Sequence, residues 1–125
     1  MNSSKEIIEE KMAILNAENA LAESMNVRAS SARAYVLNGD EHYKDLYYEY
    51  TKQAEENIEI IKNTAHFNLI ENATFTSQNW HKFIEERVFA EYDAGKIEDA
   101  RFNITMSDSD VEGIRSQFES VAQQT

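Results

Sequence analysis

The sequence predicts an all-α fold, arranged as an antiparallel up-down-up-down four-helix bundle. Three observations lead there. The 125 residues include no proline, although average usage of about 5% would supply roughly six. Proline breaks helix interiors, so its absence permits long uninterrupted helices. Apolar residues recur at steps of three and four along most of the chain, which is the period of a helix and not of a strand. Two of the three glycines, Gly39 and Gly95, stand where such a pattern stops, the place a left-handed helix cap occupies. Amphipathic helices joined by short connections pack up-down-up-down. That order puts both chain termini at one end and both glycine turns at the other, distal end. A chain of this length is expected to form one domain, 1–125, with its own core.

The first helix is expected over about 5–37. Ile8, Leu15, Ala22, Ala29 and Val36 repeat every seven residues, with Ile7, Ile14, Leu21 and Tyr35 beside them and Met25 and Ala32 widening the stripe. At 1.5 Å per residue it is roughly 50 Å long. In Asn38-Gly39-Asp40 the glycine supplies the left-handed turn and Asp40 caps the next helix. The second helix, about 41–64, carries Tyr43, Tyr47, Tyr50, Ala54, Ile58, Ile61 and Ala65 at helical spacing. A turn is expected around 64–68. The third helix then runs to about Asp93 on the column Leu69, Ala73, Thr76, Trp80, Phe83, Arg87, Ala90 and Ala94. Ala94-Gly95-Lys96 is the third turn. The fourth helix, about 97–122, shows Ala100, Ile104, Ser107, Val111, Ile114, Phe118 and Val121 on the same rule. Within it "ARFNITMS" alternates as a strand would. No second such window exists to pair with it, and a lone strand is unstable, so it is assigned to the helix.

Composition excludes several function classes. Hydrophobic residues at 42% with 28% charged residues suit a globular protein rather than a disordered one. The net charge of -11 repels phosphate backbones and anionic headgroups, so nucleic acid is not an expected partner. No cysteine means no disulfide, no cysteine-held zinc and no covalent c-type haem. No signal peptide or membrane span is present in the pattern. The helical periodicity starts close to Met1 and continues close to Thr125, so the chain is expected to be a piece of a longer protein whose flanks hold membrane segments.

A glutamate-rich bundle raises the question of a di-iron centre, which needs Glu-x-x-His on two helices. Three residues before His42, His66 and His81 stand Gly39, Asn63 and Gln78, so the motif is absent. There is no phosphate loop, nucleophile elbow or zinc signature. The carboxylate pairs Glu9-Glu10, Glu55-Glu56 and Glu85-Glu86 are adjacent on a helix and diverge by about 100 degrees. No enzyme activity, cofactor or metal is expected.

The arginines are the unusual feature. Arg28 stands in the otherwise apolar column Ile7, Ile14, Leu21, Tyr35, and Arg87 stands between Phe83 and Ala90. A buried charge is costly unless paired. Either these side chains extend out along the helix surface, or an anion meets them. Arg28 lies eleven residues from Gly39, Arg87 eight from Gly95, and Arg33 and Arg101 six from the same turns. All four therefore fall within a band of roughly 8 Å along the bundle. Tyr47, Tyr50, Asn103 and Thr105 sit at similar height. Arginine forks a carboxylate in two-point contact, so the band is a candidate anion site. Asp45, Glu49 and Glu86 near that height are the competing salt-bridge partners. The candidate site residues are Arg28, Arg33, Arg87, Arg101, Tyr47, Asn103 and Thr105.

"RAYVLNGDEHYKDLY" resembles the helix-turn-helix of the four-helix-bundle sensor domains of bacterial methyl-accepting chemotaxis receptors. "FAEYDAGKIEDARFNI" is similar to that family's second distal turn, and "SDVEGIRSQF" to its closing helix. The resemblance implies an extracytoplasmic, ligand-binding sensor domain lying between two transmembrane helices. It implies a homodimer through the first and fourth helices, and a small-molecule ligand, often a carboxylate or amino acid, near the distal half. The signal would pass as a small displacement of the fourth helix. Carried onto this chain, the first-helix arginines are Arg28 and Arg33, and the fourth-helix polar partners are Asn103 and Thr105. The similar CHASE-type sensor bundles of histidine kinases and cyclases share the Gly-Asp turn. They supply a second reading, a receptor domain that answers a partner protein or the membrane state without a small-molecule pocket.

Overall fold

The computed structural model describes residues 3–124, and these are helical almost throughout. Helix α1 spans Ser4–Asn38. It opens with a capping box: Ser3 Oγ accepts from Glu6 N at 3.2 Å, and Ser3 N donates to Glu6 Oε2 at 3.0 Å, which satisfies two orphan donors reciprocally. It closes at Gly39, which adopts φ 72 and donates its N–H to Tyr35 O at 2.7 Å. Helix α2 spans Glu41–Lys62, capped by Asp40 Oδ1 accepting from His42 N at 2.9 Å. Helix α3 runs from Phe67–Phe83 through a π-helical turn, Ile84–Phe89, into a last α turn, Ala90–Asp93. Gly95, at φ 86, follows it. Its end is closed by Gly95 N to Tyr92 O at 3.0 Å and Lys96 N to Glu91 O at 2.8 Å, the paired bonds of a Schellman motif. Helix α4 comprises Ile97–Met106 and Asp108–Gln124. No strand occurs among the described residues, and none of their helices is long and apolar enough to cross a membrane.

The continuous fourth helix expected from sequence is interrupted at Ser107. Its hydroxyl donates to Ile104 O at 2.9 Å, the local side-chain bond by which serine competes with helix hydrogen bonding. Asp108, Ser109 and Asp110 follow, residues that favour helix starts over helix interiors. "ARFNITMS" is helical as expected up to that break.

The core is built around Leu21, Met25, Tyr47, Ile61, Ile84, Ile114 and Phe118, all nearly inaccessible. In α4 every expected column residue from Ala100 to Val121 is buried. In α3 the expected column holds at Ala73 and Trp80, which are buried, but fails at its ends: Leu69, Arg87, Ala90 and Ala94 are exposed, and Ile70, Thr74, Ser77, Ile84 and Val88 are buried beside it. Shifting the face by about 100 degrees buries branched apolar residues and frees a charge. In α1 the expected stripe becomes buried only from Ile14, while Ile7 and Ile8 are exposed. The helix has 35 residues and α2 has 22. The 35 − 22 = 13 residues by which α1 outruns α2 correspond to roughly 20 Å of helix with no α2 beside it. Helix α1 packs along α2 and along α4, and α3 packs on α4, whereas α2 and α3 scarcely meet.

The two glycine turns meet. Tyr35 Oη donates to Asp93 Oδ1 at 2.5 Å, and Lys44 Nζ donates to Asp93 Oδ2 at 2.8 Å. These two bonds hold the Asp93 carboxyl below its usual range although burial pushes the other way. Burial, reinforced by Asp93, raises the Tyr35 phenol. Arg101 Nε donates to Val36 O at 2.8 Å and Nη2 to Leu37 O at 3.3 Å. It thereby places a cation on the negative end of α1. Tyr92 closes the turn from the other side: a Cβ on Gly39 would stand 2.6 Å from its hydroxyl oxygen. Gly39→Ala should therefore lose about 1–2 kcal/mol from left-handed strain alone, and more from displacing Tyr92. Urea denaturation should show a smaller loss for the same substitution in a Tyr92→Phe background.

Candidate functional site

Arg28 is the centre of the candidate site. It sits on the inward stripe of α1, between Met25 and Ala32, and is only 4% exposed. No carboxylate among the described residues pairs with it. Its guanidinium lies over two aromatic rings, 5.3 Å from the Tyr47 centroid and 5.2 Å from that of Trp80. Its Nη1 approaches the Met25 sulfur at 3.8 Å. Desolvated cation–π contacts contribute about 2 kcal/mol each, which offsets part of the cost of burying the charge. The Nε–H remains buried without a partner.

A pocket of about 90 Å³ opens beside it. Its polar end is formed by Arg28, Thr51 and His81, its apolar end by Leu21, Ile58 and Phe118, and Glu55 and Gln78 are at the exposed rim. The pocket exists because α2 and α3 stand apart where Arg28 and the aromatic side chains fill the interior. His81 belongs to a polar chain. Its Nδ1 is 2.7 Å from Tyr47 Oη, and its Nε2 is 3.2 Å from Glu85 Oε1. Tyr48 Oη donates to the other Glu85 oxygen at 2.9 Å. In a neutral ring, Tyr47 donates to Nδ1 while Nε2–H donates to Glu85. Burial, with the Arg28 charge behind it, lowers the His81 pKa against the opposing pull of Glu85 and Glu55. Burial likewise pushes the Tyr47 phenol up to about 12. The site thus holds one permanent cation, a histidine kept neutral and two hydroxyl-bearing residues, Thr51 and Ser77. The permanent cation in that set is chemically suited to meet an anion. Among the described residues no three His, Asp or Glu side chains converge as a metal site.

Of the seven candidate residues, Arg28 lines the pocket and Tyr47 lies under its guanidinium. The other five stand elsewhere, each with a partner. Arg33 pairs with Asp108 across α1 and α4. Arg87 projects outward, its side chain 62% exposed, 3.6 Å from Glu91. Arg101 caps α1. Asn103 Nδ2 donates to Arg87 O and to Glu91 Oε2, both at 2.8 Å. Thr105 Oγ1 is exposed and returns to Arg101 O at 3.0 Å. Equal height along the bundle did not put these five on the face that Arg28 occupies. Neither Asp45, Glu49 nor Glu86 pairs with an arginine; Asp108, Glu91 and Glu98 do so instead. From the sequence, spacing establishes no carboxylate partner for His81; the structure corrects this, since Glu85, four residues on along the same helix face, pairs with it. Thr51 and Ser77 carry no spacing signal.

No protein family, curated protein or solved structure matches this chain.

The neutral His81 sets a pH dependence. Its folded pKa is lowered from 6.5, so the unfolded chain takes up the proton first as pH falls. The stability linked to it is complete above about 6.5 and is lost below that value, toward the folded pKa. Denaturant midpoints should decline as pH falls from about 7 to 5, and that decline should flatten in His81→Phe.

Proposed function

We propose that the chain is an extracytoplasmic ligand-binding sensor domain of a transmembrane chemoreceptor, folded as an antiparallel up-down-up-down four-helix bundle. The bundle reading is supported by α1 turning directly into α2 at Gly39, by α3 turning into α4 at Gly95, and by the joining of those turns through Tyr35, Lys44 and Asp93. The observation that carries the function is Arg28, a buried guanidinium with an unpartnered Nε–H beside a pocket. A charge held without its counter-ion is costly, and a small anion would supply what the fold leaves out. Trp80, under that guanidinium, donates Nε1 to Ser107 Oγ at 3.4 Å. The pocket is therefore linked to the break in α4 through two side chains, Arg28 and Trp80. An anion that preferred one position of Arg28 and Trp80 would favour one placement of α4 over another, the differential contact on which signalling depends. A homodimer through α1 and α4, with membrane segments flanking the chain, completes the reading.

The partner-protein or membrane-state reading is favoured by a different observation. Phe102 and Met106 project from α4 at 64% and 62% exposure, and large exposed apolar side chains gathered together mark interaction surfaces.

A thermal-shift screen separates the two. The panel would hold di- and tricarboxylates, monocarboxylates, amino acids and cations, applied to the native chain and to Arg28→Ala. A ligand at about a hundred times its Kd stabilises by about 2.7 kcal/mol, a shift of several degrees at this size. The sensor reading expects an anion to shift the native chain and not the variant. If no small molecule shifts the native chain, the reading gives way to the partner-protein alternative.

A further inference from the structure

We infer that the pocket binds one short aliphatic monocarboxylate per chain, with its carboxylate on Arg28 and its alkyl tail pointing down the bundle. The inference rests on the sensor reading above and narrows it to a ligand class, a stoichiometry and an orientation.

Orientation follows from the order of residues along the helices. On α1 the lining runs from Leu21 to Arg28, seven residues or roughly 10 Å of rise. On α2 it runs from Ile58 back to Thr51, in step with α1 because the two helices are joined at Gly39. Arg28, Thr51 and His81 therefore share the end nearer the glycine turns, and Leu21, Ile58 and Phe118 share the other. A carboxylate at the upper end meets the Arg28 guanidinium, whose closed-off Nε–H lacks an acceptor and turns toward the ligand as it enters. Arginine presents its Nε edge as a two-point fork.

Size and charge limit what else fits. A dry cavity of 150 Å³ holds the six heavy atoms of benzene, so about 90 Å³ suits an anion of roughly four or five, acetate or propionate. A dicarboxylate would put its second charge among Leu21, Ile58 and Phe118, with no cation to meet it. An α-amino acid would place its ammonium next to its carboxylate, hence against Arg28, with like charges in contact. Glu55 at the rim adds repulsion against any second negative group.

The test is calorimetric titration of the full chain with acetate, propionate, butyrate, succinate and alanine, accompanied by the Arg28 Nε–H signal in nitrogen-resolved NMR. Affinity should rise about fourfold from acetate to propionate and fall at butyrate, at one ligand per chain, with a shift of the Arg28 Nε–H resonance. Arg28→Met should weaken binding by about ten- to a hundredfold, the loss of a charge-assisted contact. Because that variant alters a buried position, its far-UV circular dichroism and Tm are checked. Ala54→Leu supplies an independent arm: it fills the pocket, leaves Arg28 in place and should abolish binding. Succinate or alanine binding in preference, one ligand per two chains, or binding that survives Ala54→Leu would each overturn this inference while leaving an anion sensor standing. If no compound of the wider thermal-shift panel binds either, both readings fall together.

Discussion

The structure depends on how one charge is kept in the interior. A guanidinium does not shed its proton under ordinary conditions, so Arg28 cannot be buried neutral as a lysine or histidine could. The fold meets it with π faces instead of carboxylates, Tyr47 from α2 and Trp80 from α3. Each of those rings is then held from behind, Tyr47 by His81 and Trp80 by Ser107. The spacing of α2 from α3, the pocket between them and the neutral state of His81 all follow from filling this level with planar groups around a cation. The hydroxyls of Thr51 and Ser77 at this level are satisfied within their own helices, by Tyr47 O and Thr74 O.

The end of the molecule above the pocket is held in a different way. There the contacts are short, directional and charged: Asp93 takes bonds from Tyr35 and Lys44, and Arg101 serves the carbonyls that end α1. Lys44 also lies over the Tyr35 and Phe89 rings, at 5.3 and 5.5 Å. At this end charged contacts join the turns, whereas at the level of Arg28 ring contacts and the bonds of Tyr47 to His81 and of Tyr48 to Glu85 join α2 to α3.

Much of the fold was legible in the sequence, and the failures have specific causes. Gly39 and Gly95 marked their turns because only glycine takes positive φ cheaply, and both do so. The α4 column was correct at every position, although Phe102 and Met106 offered apolar alternatives that stay exposed. In α3 two adjacent faces were both partly apolar, Leu69 against Ile70 and Phe83 against Ile84. The presence of Arg87 in one of them should have decided for the other. That error made Arg87 look inward, so its supposed anomaly vanished with the corrected phase. Arg28 survived the same scrutiny because its neighbours Leu21, Met25 and Ala32 are buried in fact. Counting residues from the turns ranked side chains by height along the axis, but it carried no information on direction around it. For that reason Arg33 meets Asp108 and Arg101 meets the end of α1, both nearer the glycine turns than the pocket is. The break at Ser107 and the pocket hydroxyls were illegible, since a serine or threonine on a helix reads the same whether it faces in or out.

The π-helical turn at Ile84–Phe89 has a consequence for the length of α3. A turn of that kind accommodates one residue more than an α turn over the same stretch of axis, so it advances the chain without advancing the angle. Below it, Ser77 and His81 line the pocket; above it, Tyr92 and Asp93 address the clamp at the glycine turns. The two groups would not both face their partners on a uniform helix of the same residue count. The loosened turn is a mechanical phase adjuster: it lets pocket and clamp be aligned separately on a single rod, and it puts the rod's most easily rewound segment between them.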